Sequence, residues 1–170
     1  MISISEALNI ISNNVKTTQL KKEIFLSEAT NFILAEDIFS KINMPPFRQS
    51  AMDGYALHLH NDSVYDVIDE VKAGDDSNPI LQKGEAIRIF TGAAVPDSAN
   101  AIIIQEHVSK DDKKLVCNKP ATLNANIRPL GEQITKGEIA LKKVLLFQQG
   151  LGSITTTFYI LMGYTVILFL

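Results

Sequence analysis

The side chains best suited to chemistry fall in two short stretches. The first runs Pro45-Pro46-Phe47-Arg48-Gln49-Ser50-Ala51-Met52-Asp53-Gly54-Tyr55-Ala56. Paired prolines fix φ and push Met44 toward extended backbone, so the chain should reach Phe47 stiff. Asp53-Gly54 then reads as a turn, with Gly54 free to take a positive φ and Asp53 able to cap nearby N–H groups. A carboxylate on so rigid a mount suits a metal ligand or a base, although an Asp-Gly pair is more commonly a plain hairpin turn. The second stretch is Thr91-Gly92-Ala93-Ala94 at the end of an expected strand. Its small residues would let backbone N–H groups approach a ligand, and the Thr91 hydroxyl could hold an anion's oxygen or a metal-bound water. The same letters also describe a routine turn.

Other candidates are weaker. His58 and His60 would share one face of a strand. With no thiol nearby in sequence to complete a ligand set, surface histidines are the plainer reading. Glu106 reads as a structural or rim residue, and Lys110 to Lys114 as a charged turn.

The elements that must position these groups change character along the chain. Ser3-Ile4-Ser5-Glu6 has the form of a capping box, and Ala7, Leu8, Ile11 and Val15 recur at helical spacing, which predicts a helix over 4–14. Residues 23–26 fit a strand, and Ser27 a cap for a short helix through Ala35 that carries Phe32, Ile33 and Leu34 toward a core. From about Tyr55 the pattern is β. The runs 64–71, 86–90, 101–105 and 115–117 are apolar or β-branched and are separated by polar turns. The strands between Gly84 and Glu106 read as near-neighbours joined by the loop 91–100. That spacing suggests a compact barrel or sandwich.

Composition narrows the class. The chain has 170 residues, 46% hydrophobic and 21% charged, enough for one core or two small ones. A net charge of −3 argues against nucleic acid as the main partner. Cys117 is the only cysteine, which excludes an intrachain disulfide and a thiolate zinc cage and fits a cytoplasmic location. The N-terminus has no basic region followed by an apolar run, so no secretory signal is read there.

The twelve residues around Asp53 resemble the signature of the molybdopterin molybdenumtransferase family, whose eukaryotic relative is the E domain of gephyrin. Further pieces follow in the family's order: Leu34-Ala35-Glu36-Asp37, Ala73-Gly74, Gly84-Glu85-Ala86-Ile87-Arg88-Ile89-Phe90-Thr91-Gly92-Ala93, Pro96, Gln105-Glu106, Gly131-Glu132 and Gly137. The match covers the N-terminal region only, about residues 3–142. It implies an α+β, mainly β fold: N-terminal helices with an elongated part (1–50 and 127–150), a small β-barrel-like domain (51–126), and a catalytic α/β domain absent or only begun in the tail (151–170). It implies insertion of molybdate into adenylylated molybdopterin with release of AMP, assisted by Mg2+, in a homodimer where Asp53 and Thr91 act in trans. By the same resemblance Asp53 and Thr91 are catalytic, Asp53 is also the metal ligand, and Ser50, Gly54, Gly92, Ala93 and Gln133 bind the small-molecule substrate. One position departs: the family usually reads Gly-Glu-Asp where this chain has Gly131-Glu132-Gln133, an amide that cannot serve as a base. The alternative is a non-catalytic dimerisation or partner-binding module derived from that family.

The end of the chain admits two readings. Residues 154–170 are apolar enough for a membrane anchor. Residues 152–170 also resemble the family's first catalytic-domain helix, capped at Gly163 and running into a strand over 166–170 whose partners are missing. The second reading is preferred, so membrane is not expected as a partner.

Overall fold

The structure is a computed structural model that describes residues 2–15, 20–143 and 165–169. In chain order its elements are α1 (Ile4–Asn14), β1 (Lys21–Phe25), β2 (Ile33–Leu34), β3 (Ile38–Phe39), β4 (Gln49–Ser50), β5 (Gly54–Leu57), β6 (Val64–Val71), β7 (Glu85–Ile89), β8 (Ala101–Ile104), β9 (Val108–Asp111), β10 (Lys114–Cys117), β11 (Ile127–Arg128), β12 (Ile139–Leu141) and β13 (Thr165–Phe169). The protein is mainly β, and α1 is the one α-helix among the described residues, where the sequence suggested helices in the plural. The chain divides into two compact units, residues 1–41 with 137–170, and residues 42–136.

In the first unit α1 starts where its capping box dictates. Ser3 Oγ accepts from Glu6 N–H at 3.2 Å, and Ser3 N–H donates to Glu6 Oε2 at 2.8 Å. None of its residues is buried, and the apolar face of Ile4, Leu8, Ile11 and Val15 is exposed. The helix expected from Ser27 to Ala35 is instead one 3-10 turn at Leu26–Glu28, followed by β2. Asn31 takes a left-handed φ of 69°, which ends the turn and lets the chain leave extended. Phe32 and Leu34 then pack with Leu26, Ala29 and Ile38, while Ile33 alternates outward. β13 lies between β1 and β2, antiparallel to both, with Glu23 opposite Ile167 and Leu34 opposite Leu168. The strand expected in the tail therefore has its partners inside this chain. The proposed helix, anchor and Gly163 cap before it lie outside the described residues, among which no helix is long and apolar enough to cross a membrane.

The second unit is built on a curled six-stranded sheet ordered β8-β5-β7-β6-β10-β9. Its central strands are covered on both faces, which explains their near-continuous apolar letters. Side-chain alternation divides the core. Ala56, Ile87, Ile89 and Ile102 join Val71, Leu81 and Val95 on one side, whereas Tyr55, Leu57, Ala86 and Ile103 join Tyr65 and Leu115 on the other. β7 and β8 are not paired with each other. β5 lies between them and is antiparallel to both, so the loop 91–100 crosses over β5. β4 and β11 form a separate ribbon through Gln49 and Arg128.

Candidate functional site

The pairing of β5 with β7 brings the two chemical stretches together. Gly54 stands opposite Ile89, so the residue before β5 and the residues after β7 emerge side by side. There Thr91 donates twice to Asp53 Oδ1, from its backbone N–H at 2.7 Å and from its hydroxyl at 2.8 Å. Both residues are exposed. The Asp53 carboxyl is held below its ordinary pKa, first by the Thr91 N–H, then by the Thr91 hydroxyl, with a smaller contribution from the positive charge of Arg88. The Asp53 carbonyl accepts from Gln105 N–H at 3.2 Å, tying the same turn to the end of β8.

Gly54 has a different reason for being glycine than the sequence suggested. Its φ is not among the positive ones. What excludes a side chain is the neighbouring strand: a Cβ would collide with the Ile103 carbonyl oxygen and sit 2.9 Å from its carbon and 3.0 Å from Ile104 Cα. A close approach of two backbones, not a left-handed turn, sets this residue.

The Thr91 loop also works differently from expectation. Gly92 does require glycine, at φ 88°. Its N–H, however, donates to Ser50 O at 2.9 Å, and Ala93 N–H to Phe90 O at 3.0 Å. With Thr91 N–H on Asp53, these three amides face protein acceptors rather than an incoming ligand. Ser50 is the buried strut of the loop: its N–H donates to Ala93 O at 2.9 Å and its hydroxyl to Met52 O at 2.6 Å.

A residue that sequence reasoning did not single out stands beside the pair. Arg88, on β7, donates from Nη1 to Gly54 O at 2.9 Å and from Nη2 to Gln105 Oε1 at 2.7 Å. Its guanidinium lies 5.2 Å from the Tyr55 ring centroid and 4.7 Å from that of Phe90. The only hint in the letters was a cation between two isoleucines, Ile87 and Ile89.

Comparison with known proteins shows the family of the chain. A family model described as MoeA N-terminal region (domain I and II) matches residues 2–150. The chain belongs to this family. It is 32% identical over 165 residues to a molybdopterin molybdenumtransferase of Staphylococcus aureus strain MRSA252, covering 92% of this chain and 39% of that protein. It is 33% identical over 147 residues to the one of Haemophilus influenzae, covering 84% and 36%. A crystal structure of the molybdopterin biosynthesis moeA protein from Pyrococcus horikoshii OT3 superposes with a TM-score of 0.86 at 29% identity, covering 99% of this chain and 46% of that one. The chain spans less than half the length of the curated relatives it matches.

Within this MoeA N-terminal region the remaining candidates make no hydrogen bond to the pair among the described residues. Gln133 is exposed on another loop, its N–H donating to Met44 O at 2.9 Å, and among the described residues no hydrogen bond joins it to Asp53 or Thr91. His58 and His60 diverge, one ring nitrogen meeting Leu81 O and the other Val64 O, each at 3.0 Å. Glu106 accepts from Gln105 Nε2 at 3.3 Å. Among the described residues no three His, Cys, Asp or Glu side chains cluster as a ready-made metal cage. A single exposed carboxylate such as that of Asp53 is compatible only with an ion that keeps most of its waters, as hydrated magnesium does.

Proposed function

We propose that this chain works in molybdenum cofactor biosynthesis, as the part of a molybdopterin molybdenumtransferase that presents Asp53 and Thr91 to molybdate and adenylylated molybdopterin while molybdate is inserted and AMP released. The observation that carries the reading is the double hydrogen bond from Thr91 to one oxygen of Asp53, within a chain that matches the family over 2–150. Thr91 keeps the carboxylate ionised and fixed, ready to orient water or a metal ligand. Magnesium, when bound, offsets the negative charge of the phosphates. Ser50, Gly54, Gly92 and Ala93 shape the wall of the site through their backbone, and Gln133, on another loop, is left out of it. The reading gives this chain one side of the site. A further α/β domain, donated by the other subunit of a cytoplasmic homodimer, holds pterin and nucleotide.

The test is a chimera in which residues 2–150 replace the matching segment of the Staphylococcus aureus relative. Recovery of molybdoenzyme activity in a bacterial strain lacking its own molybdopterin molybdenumtransferase supports the reading. A folded chimera that fails to restore it counts against.

The exposed apolar face of α1, with Leu8 and Ile11 each more than half accessible, favours a second reading as a dimerisation or partner-binding module. That reading requires self-association or partner capture that survives Asp53→Asn and is lost in Leu8→Glu.

A further inference from the structure

We propose that Arg88 is a positioning residue for the Asp53–Thr91 pair, locking together β5, β7 and the turn that follows β8. The inference rests on reading that pair as the working site, but the lock itself is open to test without any activity.

Arg88 stands opposite Tyr55 in the β5–β7 pairing, and β5 in turn pairs with β8. One prong of its guanidinium holds the carbonyl of Gly54, the residue directly after Asp53. The other holds the side chain of Gln105, whose own N–H donates to the Asp53 carbonyl. These contacts close a ring through Asp53, Gly54, Arg88 and Gln105. The turn that carries the carboxylate is thus fixed from both sides of its peptide.

The aromatic contacts extend the lock to Thr91. Phe90 immediately precedes Thr91, and its ring lies against the guanidinium while Tyr55, two residues beyond Asp53, lies against the same group. Arg88 therefore touches the neighbours of both members of the pair without bonding to either. A planar guanidinium can donate in two fixed directions and stack on rings at once, whereas an ammonium is a point charge on a flexible stem. The arrangement needs arginine rather than a positive charge alone.

The test is amide hydrogen exchange read by NMR on the 170-residue chain, comparing wild type with Arg88→Lys, Arg88→Ala and Gln105→Leu. Losing a hydrogen bond to a charged group should speed exchange about tenfold or more where the lock acted. Arg88→Ala and Arg88→Lys are both expected to do so at the Gln105 and Thr91 amides, leaving Val67 and Cys117, which donate to Lys113 O and Ser63 O, unchanged. Gln105→Leu removes one prong only and is expected to speed exchange at Gln105; it decides the matter if Arg88→Ala fails to fold. A lysine variant matching wild type at both amides, a Gln105→Leu variant with unchanged exchange, or acceleration spread equally to Val67 and Cys117 would overturn the proposal. Wild-type activity in a chimera carrying Asp53→Asn would instead sink the proposed function and leave the lock standing.

Discussion

Thr91 spends both of its donors on a single oxygen, Asp53 Oδ1, from the backbone at 2.7 Å and from the hydroxyl at 2.8 Å. The pair is thereby a carboxylate with a fixed orientation on the surface, which an ordinary turn aspartate does not have.

The hydroxyl bond is separable from the backbone bond. Thr91→Val keeps the shape and the N–H but removes the hydroxyl, and Thr91→Ser keeps both donors. At an exposed position the valine variant should change stability by less than about 1 kcal/mol in a denaturant melt. In a full-length chimera it should lose at least about tenfold in molybdate-dependent AMP release, as expected for removal of one hydrogen bond to a charged group. The serine variant should stay near wild type.

The lowered carboxyl of Asp53 sets the acid limit of this arrangement. Because its folded pKa lies below the ordinary value of 3.8, the contribution of the pair to stability is fully present above that value. It is lost as pH falls through the folded pKa. An NMR titration should place the Asp53 midpoint below 3.8, with the Thr91 amide resonance moving in step, and Asp53→Asn should abolish that movement.

Gly54 and Gly92 separate two reasons for glycine. Gly54→Ala drives a Cβ into the backbone of Ile103 in the middle of a sheet, and should cost about 3 kcal/mol or more, at the upper end for overpacking. Gly92→Ala meets only Ala73 Cβ, at 3.8 Å, and strains a positive φ, for about 1–2 kcal/mol. Chemical denaturation of the two variants should show that order.

β13 offers a test of the tail. Ile167 sits opposite Glu23 in a strand paired on both edges, where proline has no tolerated place. Ile167→Pro should lower the melting temperature and speed amide exchange in β1. Unchanged exchange at β1 would contradict that pairing.

What could be read from the letters alone was local or verbal. The helix 4–14 follows from Ser3, Glu6 and a regular apolar spacing, and β6 spans the run 64–71 as expected, because both are written in consecutive residues. Asp53 and Thr91 were legible as motifs, but their contact depends on Gly54 pairing with Ile89, a long-range register that no local pattern encodes. Arg88 was hidden for the same reason: its partners are Gly54 on β5 and Gln105 in the 3-10 turn just after β8. The Ser27 helix failed because Asn31 adopts a left-handed conformation that periodicity does not register. The ligand-facing amides expected at Gly92 and Ala93 failed because the crossover over β5 leaves them bonded to Ser50 and Phe90.

The most direct measurement is molybdate-dependent release of AMP from adenylylated molybdopterin by the Staphylococcus aureus chimera carrying residues 2–150, with and without Asp53→Asn. The expected result is a folded variant, little changed in melting temperature, whose AMP release falls to background. A folded Asp53→Asn chimera that releases AMP at the wild-type rate would contradict the assignment of Asp53 and Thr91 as the working pair.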